Sequence, residues 1–307
     1  MQDLINIFID NMIPVLAIAG VGFFLRRRFA IDPRPVSRMM FNVFSPALIF
    51  HALFTRDISG ADFLRVYGGT LLLLWTITAV SLLALRWRKI EASEKAATLV
   101  STFAFNGGNF GLSIVSFAFG AEALSYAAII FVAGTTTGYT LGVYISSNGK
   151  ASVLQSLANV LRTPSVYALL LVFALKGAGI AVLPPAVART SQLLADAAIP
   201  MMLVLLGLQL GGFGKLKRLP LVAFSTAVRL LLAPAVAIVF ASLLGLSGAA
   251  RFAFILQAGM PTAVMTIVLA TEFDTDRDLA LSVILTSSFI CPFSLSLLIY
   301  LLQNGII

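Results

Sequence analysis

The stretch Asn106-Gly107-Gly108-Asn109-Phe110-Gly111-Leu112-Ser113 interrupts an apolar segment of helical length in the first half of the chain. Each glycine costs a helix about 1 kcal/mol relative to alanine, and hydrocarbon satisfies neither the donors nor the acceptors of asparagine. Such backbone occurs at membrane depth only where it is buried in protein or lines a wet cavity. The second half contains another interruption, Gln257-Ala258-Gly259-Met260-Pro261-Thr262. Paired interruptions in two halves are typical of the binding site of a secondary transporter.

The composition indicates a polytopic membrane protein. Hydrophobic residues make up 59% of the chain and charged residues 11%, whereas a soluble domain carries about 25% charged residues. Ten apolar segments approach the length of about 20 residues that crosses a bilayer. They cover residues 4–25, 35–54, 62–85, 93–118, 122–146, 163–180, 185–210, 220–244, 249–271 and 278–302. The predicted fold class is therefore an all-α integral membrane protein with ten transmembrane helices.

The distribution of lysine and arginine predicts the orientation of these segments. One set of alternate loops holds fifteen of the 21 basic residues, including Lys150 and Lys215, and the opposite set holds five. Because basic loops stay in the cytoplasm, both chain termini are predicted on the non-cytoplasmic side. Five segments fall in residues 1–150 and five in residues 151–307. Since five is an odd number, the second half must insert upside down relative to the first.

Three ordered correspondences between the halves support an inverted repeat. Asn42 and Pro46 in segment 2 match Asp196 and Pro200 in segment 7, with the same spacing. The interruption at residues 111–113 in segment 4 matches that at residues 259–261 in segment 9. The hydroxyl clusters at residues 135–137 and 286–288 match in segments 5 and 10. The sequence thus predicts two inverted five-helix repeats with broken helices 4 and 9.

Four motifs resemble those of the auxin efflux carrier family, which includes bacterial malate and malonate permeases and the plant PIN-FORMED carriers. They are Ser45-Pro46-Ala47-Leu48-Ile49-Phe50, the interruption at residues 106–113, Pro200 with the following Gly207, and Met260-Pro261-Thr262-Ala263. The resemblance covers essentially the whole chain. It implies a fold shared with bile-acid/sodium symporters and sodium/proton antiporters, in which helices 4 and 9 cross near the membrane centre.

The resemblance also implies how such a protein moves and where it resides. Helices 1, 2, 6 and 7 would form a scaffold, and helices 3–5 and 8–10 a transport domain that moves as an elevator. Two chains would form a homodimer in the lipid bilayer, and a bacterial member would lie in the cytoplasmic (inner) membrane.

The sequence departs from the family at Ser113, where the family usually has proline. Serine can bond back to a carbonyl and permit a bend, but it enforces none. The break in helix 4 must then rest on Gly107, Gly108 and Gly111. Either the crossing survives with a softer first arm, or the substrate differs from that of the relatives.

Two broken helices would place two helix N-termini inside the protein. Each N-terminus presents about four unpaired N–H groups and roughly half a positive charge, which favours a small anion without a buried lysine or arginine. A small organic carboxylate is therefore the expected substrate. The alternative is that the amide side chains only cap the broken helices. The expected substrate-binding residues are Asn106, Asn109, Gly111, Ser113, Gln257, Pro261 and Thr262.

Four further residues are candidates for ion coupling or gating. Asp196 is a carboxylate in an apolar run, which fits a proton carrier or a structural hydrogen bond. Arg229 would either hold a substrate carboxylate or extend to the cytoplasmic surface. Thr136 and Ser287 belong to the two hydroxyl clusters, which would support the crossing or contribute to a cation site.

The residues favour a carrier over the other classes of membrane protein. An enzyme is not expected, because the chain has no His-Glu-x-x-His motif and a single histidine. No cofactor, metal or nucleic-acid partner is predicted. An organic anion leaving a negative cell interior gains about 2.3 kcal/mol per charge per 100 mV, so efflux needs no coupled ion. Uptake would need H⁺ or Na⁺. The alternatives are a sodium- or proton-coupled symporter of the bile-acid type and an anion channel.

Overall fold

The computed structural model describes residues 2–149, 158, 160–212 and 216–307. Regular structure in these residues is helical, apart from one isolated bridge between Phe105 and Thr262. Lys150, Lys215 and the boundary between the two predicted halves lie outside the described residues. The helices are α1 Gln2–Phe29, α2 Pro33–Phe54, α3 Gly60–Ala84, α4 Ala92–Phe103, α5 Gly107–Ser146, α6 Pro164–Gly177, α7 Pro185–Leu210, α8 Leu219–Leu243, α9 Gly248–Ala258, α10 Met265–Glu272 and α11 Arg277–Gln303.

The lengths of these helices fit an integral membrane protein. Among the described residues, seven helices are both long enough and apolar enough to cross a bilayer, namely α1, α2, α3, α5, α7, α8 and α11. The helices begin and end within a few residues of the predicted segments, except where α4, α5, α9 and α10 divide segments 4 and 9.

Local sequence explains where several helices begin. The side chains of Asp32, Ser59 and Asp276 each accept a hydrogen bond from a backbone N–H in the first turn of the following helix. Such caps satisfy N–H groups that have no partner within the helix. At the start of α4, Glu91 and Glu94 form a reciprocal capping box, which fixes this helix just after a turn.

Three helices contain a wide turn of the π type that ends two residues before a proline. In each turn, the residue before the proline donates its N–H to the carbonyl five residues earlier. Because proline lacks an N–H and its ring clashes with the carbonyl four residues back, the wider turn accommodates the ring inside a continuous helix. The turns are Phe8–Met12 before Pro14, Met40–Phe44 before Pro46, and Val228–Leu232 before Pro234. The last of them carries Arg229.

Helices α1 and α7 approach closely enough that their backbones touch. A β-carbon on Gly207 would lie 1.8 Å from the carbonyl oxygen of Ala19, and one on Gly22 would lie 2.0 Å from that of Val204. No side chain fits at either position, so glycine is required on both helices.

Both predicted interruptions are present, but the first begins earlier than expected. Helix α4 ends at Phe103, and residues 104–106 are unwound. The three glycines lie within the wide first turn of α5, Gly107–Leu112, rather than in the unwound part. Ser113 is helical, and its hydroxyl donates to the carbonyl of Asn109 at 3.3 Å. The glycines therefore lie directly after the unwound residues, and Ser113 lies within continuous helix.

Helix α5 is itself interrupted at Gly120. Its φ of +74° lies in the region that favours glycine. This residue separates the predicted segments 93–118 and 122–146, so α5 has a first half before Gly120 and a second half after it.

A candidate substrate site at the two helix interruptions

The two interrupted stretches pair with each other through their backbones. The N–H of Asn106 donates to the carbonyl of Pro261 at 2.7 Å, and that of Ala263 donates to the carbonyl of Ala104 at 2.9 Å. Phe105 and Thr262 lie between these bonds as an antiparallel pair. Unwound backbone buried in a membrane protein needs such partners. Residues more than 150 positions apart in the chain thus form one compact crossing point.

A backbone carbonyl of α4 and a hydroxyl of α11 hold Thr262 in place. Its hydroxyl donates to the carbonyl of Ser101 at 2.8 Å, and its backbone N–H donates to the Ser287 hydroxyl at 3.1 Å. All three residues are buried. Thr262 and Ser287, both singled out from the sequence, therefore meet at the crossing point.

Arg229 is the largest fully buried side chain of the described structure. Its Nη1 donates to the carbonyls of Thr102 (2.9 Å) and Phe103 (3.1 Å) at the end of α4. Its Nη2 donates to the carbonyl of Ala258, the last residue of α9. Its Nε donates to the carbonyl of Met260, two residues further along the chain, at 3.1 Å. Its guanidinium carbon also lies 5.8 Å from the centre of the Phe105 ring. Arg229 therefore joins the C-terminal ends of two helices.

The burial of Arg229 contradicts one of its two expected roles, the extension to the cytoplasmic surface. With an exposed fraction of 0%, the side chain does not extend to a surface. Four backbone carbonyls already engage the guanidinium, which limits its freedom to grip a substrate. Among the described residues, no carboxylate lies within ion-pairing distance of it.

Gln257 is buried against the first turn of α5. Its Nε2 donates to the carbonyls of Gly107 (3.3 Å) and Ala127 (3.5 Å). A β-carbon on Gly111 would lie 2.2 Å from its Oε1, so the glutamine occupies the space that Gly111 leaves. In the described part of the chain, this Oε1 has no hydrogen-bond partner.

A second amide at the crossing point is also incompletely paired. Asn106 is buried, and within the described residues its Nδ2 donor has no acceptor. Its backbone carbonyl accepts from the N–H of Gly111 at 3.0 Å, so the side chain is not needed to close that turn. A buried polar group without a partner costs about 1–3 kcal/mol, which a hydrogen bond from a bound water or ligand would offset.

Asn109 lies one turn further along and contacts α7. Its Nδ2 is 3.4 Å from Oε1 of Gln209. Sequence reasoning missed Gln209, although a lone amide in the apolar C-terminal part of α7 was a signal, since polar side chains in membrane helices usually bond across helices. The contact links the first turn of α5 to α7, the helix that packs closely against α1.

Comparison with known proteins identifies the class of molecule to which this site belongs. A family model described as "Membrane transport protein", the auxin efflux carrier-like group, matches residues 7–299. The chain belongs to this membrane transport family. The resemblance to auxin efflux carriers drawn from the sequence motifs is thereby confirmed.

Two archaeal relatives of this transporter are similar over nearly their whole length. An uncharacterized transporter of Methanothermobacter thermautotrophicus is 31% identical over 301 residues, which cover 94% of this chain and 96% of the relative. An uncharacterized transporter of Methanocaldococcus jannaschii is 23% identical over 298 residues, which cover 91% and 94%.

The two remaining candidates for ion coupling, Thr136 and Asp196, contact other parts of the transporter. Thr136 bonds back to its own helix and accepts from the Tyr67 hydroxyl at 3.2 Å. Asp196 is exposed rather than buried, and it lines a cavity together with His51 and Arg56. The described residues contain no cluster of histidine, cysteine and carboxylate side chains suited to a metal ion.

That cavity of about 530 Å³ lies between α2, α7 and the part of α5 around Gly120. Its lining includes Ser116 and Phe117, one turn beyond Ser113, and Pro200 on α7. A neighbouring cavity of about 630 Å³ shares His51 and Thr55 with it. Open space in the transporter thus reaches α5 at Ser116, ten residues or about 15 Å of helix beyond Asn106.

Proposed function

We propose that this transporter is a secondary carrier of small organic anions, with its substrate site at the crossing of the two interruptions. In this proposal, transmembrane helix 4 consists of α4 and the first half of α5, and helix 9 consists of α9 and α10. The second half of α5 is helix 5 and α11 is helix 10. The chain then comprises two inverted repeats of five helices, residues 1–150 and 151–307.

The observation that carries the proposal is an unused buried amide donor at the crossing point, where the guanidinium of Arg229 has no carboxylate partner among the described residues. Arg229 brings a positive charge into the interior, and the described structure offers it carbonyl dipoles but no carboxylate. Asn106, on the strand of backbone that pairs with Pro261, keeps a buried donor without an acceptor in the described residues.

The start of α5 adds to this preference. Its first N–H groups and its helix dipole favour negative charge. Gln257 and Thr262 supply neutral polar groups on the facing stretch, and Pro261, Gly111 and Ser113 shape the backbone around them. A carboxylate in contact with Asn106 would satisfy the free donor, which is the principal gain on binding.

Alternating access in this proposal follows an elevator movement. Helices α3 to α5 and α8 to α11 move together against a scaffold of α1, α2, α6 and α7. The cavity lined by Ser116 and Arg56 supplies the route to the site from one side. The Asn109–Gln209 bond crosses the boundary between the two bodies and would break during the movement.

The same proposal covers orientation and assembly. The carrier is a multi-pass protein of the cytoplasmic membrane with both termini outside, and two scaffolds form a homodimer. Efflux of the anion follows the membrane potential, while Asp196 remains a candidate for proton coupling because it faces the access cavity.

Counterflow in proteoliposomes tests the function directly. Vesicles are loaded in turn with unlabelled malate, malonate or indole-3-acetate, and uptake of the labelled anion is followed. Asn106→Ala is expected to lower the apparent affinity by about 10- to 150-fold, since one charge-assisted hydrogen bond is worth about 1.5–3 kcal/mol and each 1.4 kcal/mol is a factor of ten. Asn42→Ala is the matched control, because that amide is exposed and bonds to its own helix.

Saturable counterflow that weakens in Asn106→Ala and persists in Asn42→Ala would support both the carrier and the site. Counterflow of equal affinity in both variants would support the carrier function but would show that Asn106 does not bind the substrate. A folded protein that exchanges none of the three anions would contradict the assignment for these substrates.

A further inference from the structure

We propose that the guanidinium of Arg229 takes the place of a transported cation and is fixed there by its own side chain. It fills a cage of carbonyl oxygens at the crossing point, and a transported sodium ion would need this kind of cage to bind. The carrier would then work without a coupled cation at this place. The inference concerns this cage, and its first test does not require that the substrate assigned above be correct.

The cage is built from two helix ends. The carbonyls of Thr102 and Phe103 belong to the last turn of α4, and that of Ala258 ends α9, with Met260 two residues beyond. Terminal carbonyls have no partner within their helix and carry the negative end of the helix dipole. Two such ends that face one point create a strong preference for a positive charge.

Carbonyls of this kind bind cations in other transporters. Unwound backbone and the C-terminal ends of half-helices are the groups that coordinate sodium in secondary carriers with broken helices. In this chain the same type of group converges on one side chain. A sodium ion at this position would have to displace the four hydrogen bonds that Arg229 donates.

The shape of the guanidinium suits the cage better than a compact ammonium. Arginine presents five N–H donors in a planar fork, and here Nε, Nη1 and Nη2 each donate to at least one carbonyl. The Phe105 ring, 5.8 Å from the guanidinium carbon, adds a favourable contact with the charge. Lysine has three donors on one atom and would not reach all four oxygens.

The wide turn of α8 contributes to the placement. Arg229 is the second residue of Val228–Leu232, the π turn that accommodates Pro234. Because helices α4, α8 and α9 all meet at this side chain, the proposal also makes Arg229 the positioning residue that keeps the two interrupted stretches in register.

Chemical rescue of a truncated arginine tests the proposal. Arg229→Ala empties the cage, and thermal unfolding of the purified variant is measured with about 10 mM guanidinium, sodium or choline chloride at constant ionic strength. Guanidinium is expected to raise the midpoint of Arg229→Ala by several degrees, because a ligand that binds only the folded state stabilises it. The wild type is expected to show the same midpoint in all three salts.

Arg251→Ala is the matched control for loss of a basic residue. Arg251 lies in α9, and its Nη1 bonds the Ser242 hydroxyl at 3.2 Å near the surface. Its variant is expected to be insensitive to guanidinium. A guanidinium response equal in the two variants would overturn the proposal, as would a sodium-specific rise in the wild type.

A second variant decides the matter if Arg229→Ala fails to accumulate. Recovery of Arg229→Ala only when guanidinium is present during purification would support the cage. If no such recovery occurs, Arg229→Lys is tested instead. The proposal requires that the thermal midpoint of this variant lie several degrees below that of the wild type in every salt. A midpoint equal to that of the wild type overturns the proposal. Where counterflow has been established, guanidinium should raise the rate of Arg229→Ala about tenfold or more and leave the wild type unchanged.

Discussion

At the residue scale, Ser287 and Ser288 are neighbours in α11, and both are buried, but they differ in what their hydroxyls contact. The Ser287 oxygen accepts from the backbone N–H of Thr262, whereas the Ser288 hydroxyl has no hydrogen-bond partner in the described residues. We expect Ser287→Ala to lower the free energy of unfolding by about 1–3 kcal/mol, because it leaves a buried N–H unpaired. Ser288→Ala should leave it unchanged or raise it, because the substitution removes a buried hydroxyl that has no partner in the described residues. Thermal unfolding of both variants in detergent checks the difference, and equal losses would contradict it.

Gly111 and Gln257 form a second residue-scale pair. Gly111→Ala would place a methyl group 2.2 Å from the Gln257 Oε1, and overpacking of this kind costs about 1–3 kcal/mol. The double variant Gly111→Ala/Gln257→Ala should recover part of that loss, since the second change removes the obstructing atoms.

Gly68→Ala is the control for this pair. A β-carbon at Gly68 meets no atom within 4 Å in the described structure, so this substitution should be neutral or slightly stabilising. If Gly111→Ala were equally well tolerated, the close contact with Gln257 would not exist in the folded protein.

The sequence allowed prediction of several residues at the crossing point but not of their partners. Asn106, Gln257 and Thr262 stand out because polar side chains in apolar segments are rare and need a reason. The contacts of Arg229 were not predictable, since its carbonyl partners lie about 30 residues away on one side and about 127 on the other. Every residue has a backbone carbonyl, so no sequence pattern indicates which carbonyls form the cage.

At the scale of helices, the contact between α1 and α7 depends on two glycines. We expect Gly22→Ala to destabilise the protein by about 1–3 kcal/mol or more, because the new methyl would lie 2.0 Å from the carbonyl oxygen of Val204. Gly20→Ala, two residues earlier on the same helix, meets no described atom within 4 Å and should not destabilise it. The midpoints of thermal unfolding compare the two directly, and a Gly22→Ala variant as stable as Gly20→Ala would rule out the close approach.

Helix boundaries were predicted better than the point of interruption. Caps such as Asp32 and Ser59 act through neighbouring residues and are visible in the sequence. The unwound residues 104–106 contain alanine and phenylalanine, which have no intrinsic tendency to break a helix, and Gly107 and Gly108 follow within helical structure. Pairing with residues 261–263 stabilises the extended backbone there, and such a tertiary contact overrides local preference.

At the scale of the whole molecule, the orientation in the membrane is open to direct measurement. Cys291 is the only cysteine in the sequence and is fully buried, so a Cys291→Ser background permits single-cysteine labelling. Trp87, 84% exposed, lies between α3 and α4, and Val182, 82% exposed, lies between α6 and α7. With both termini outside, a membrane-impermeant maleimide on intact cells should label Val182→Cys and not Trp87→Cys.

Permeabilised cells supply the control for labelling, since both cysteines should then react. Labelling of Trp87→Cys but not of Val182→Cys in intact cells would contradict the proposed orientation. Equal labelling of both sites in intact cells would place the two loops on the same side and contradict the arrangement of helices between them.

The position of Arg229 also has a consequence for the insertion of α8 into the membrane during synthesis. Its acceptors on α4 have been translated when α8 leaves the ribosome, but Met260 follows 31 residues later. At about 5–20 residues per second, half of the guanidinium's acceptors are missing for roughly 2–6 s while the helix enters lipid. An arginine at the centre of an inserting helix costs about 2.5–3.5 kcal/mol on the translocon scale. Retention of nascent α8 beside the translocon, or against α4, until α9 arrives would avoid this cost and would couple the insertion of one helix to the synthesis of the next.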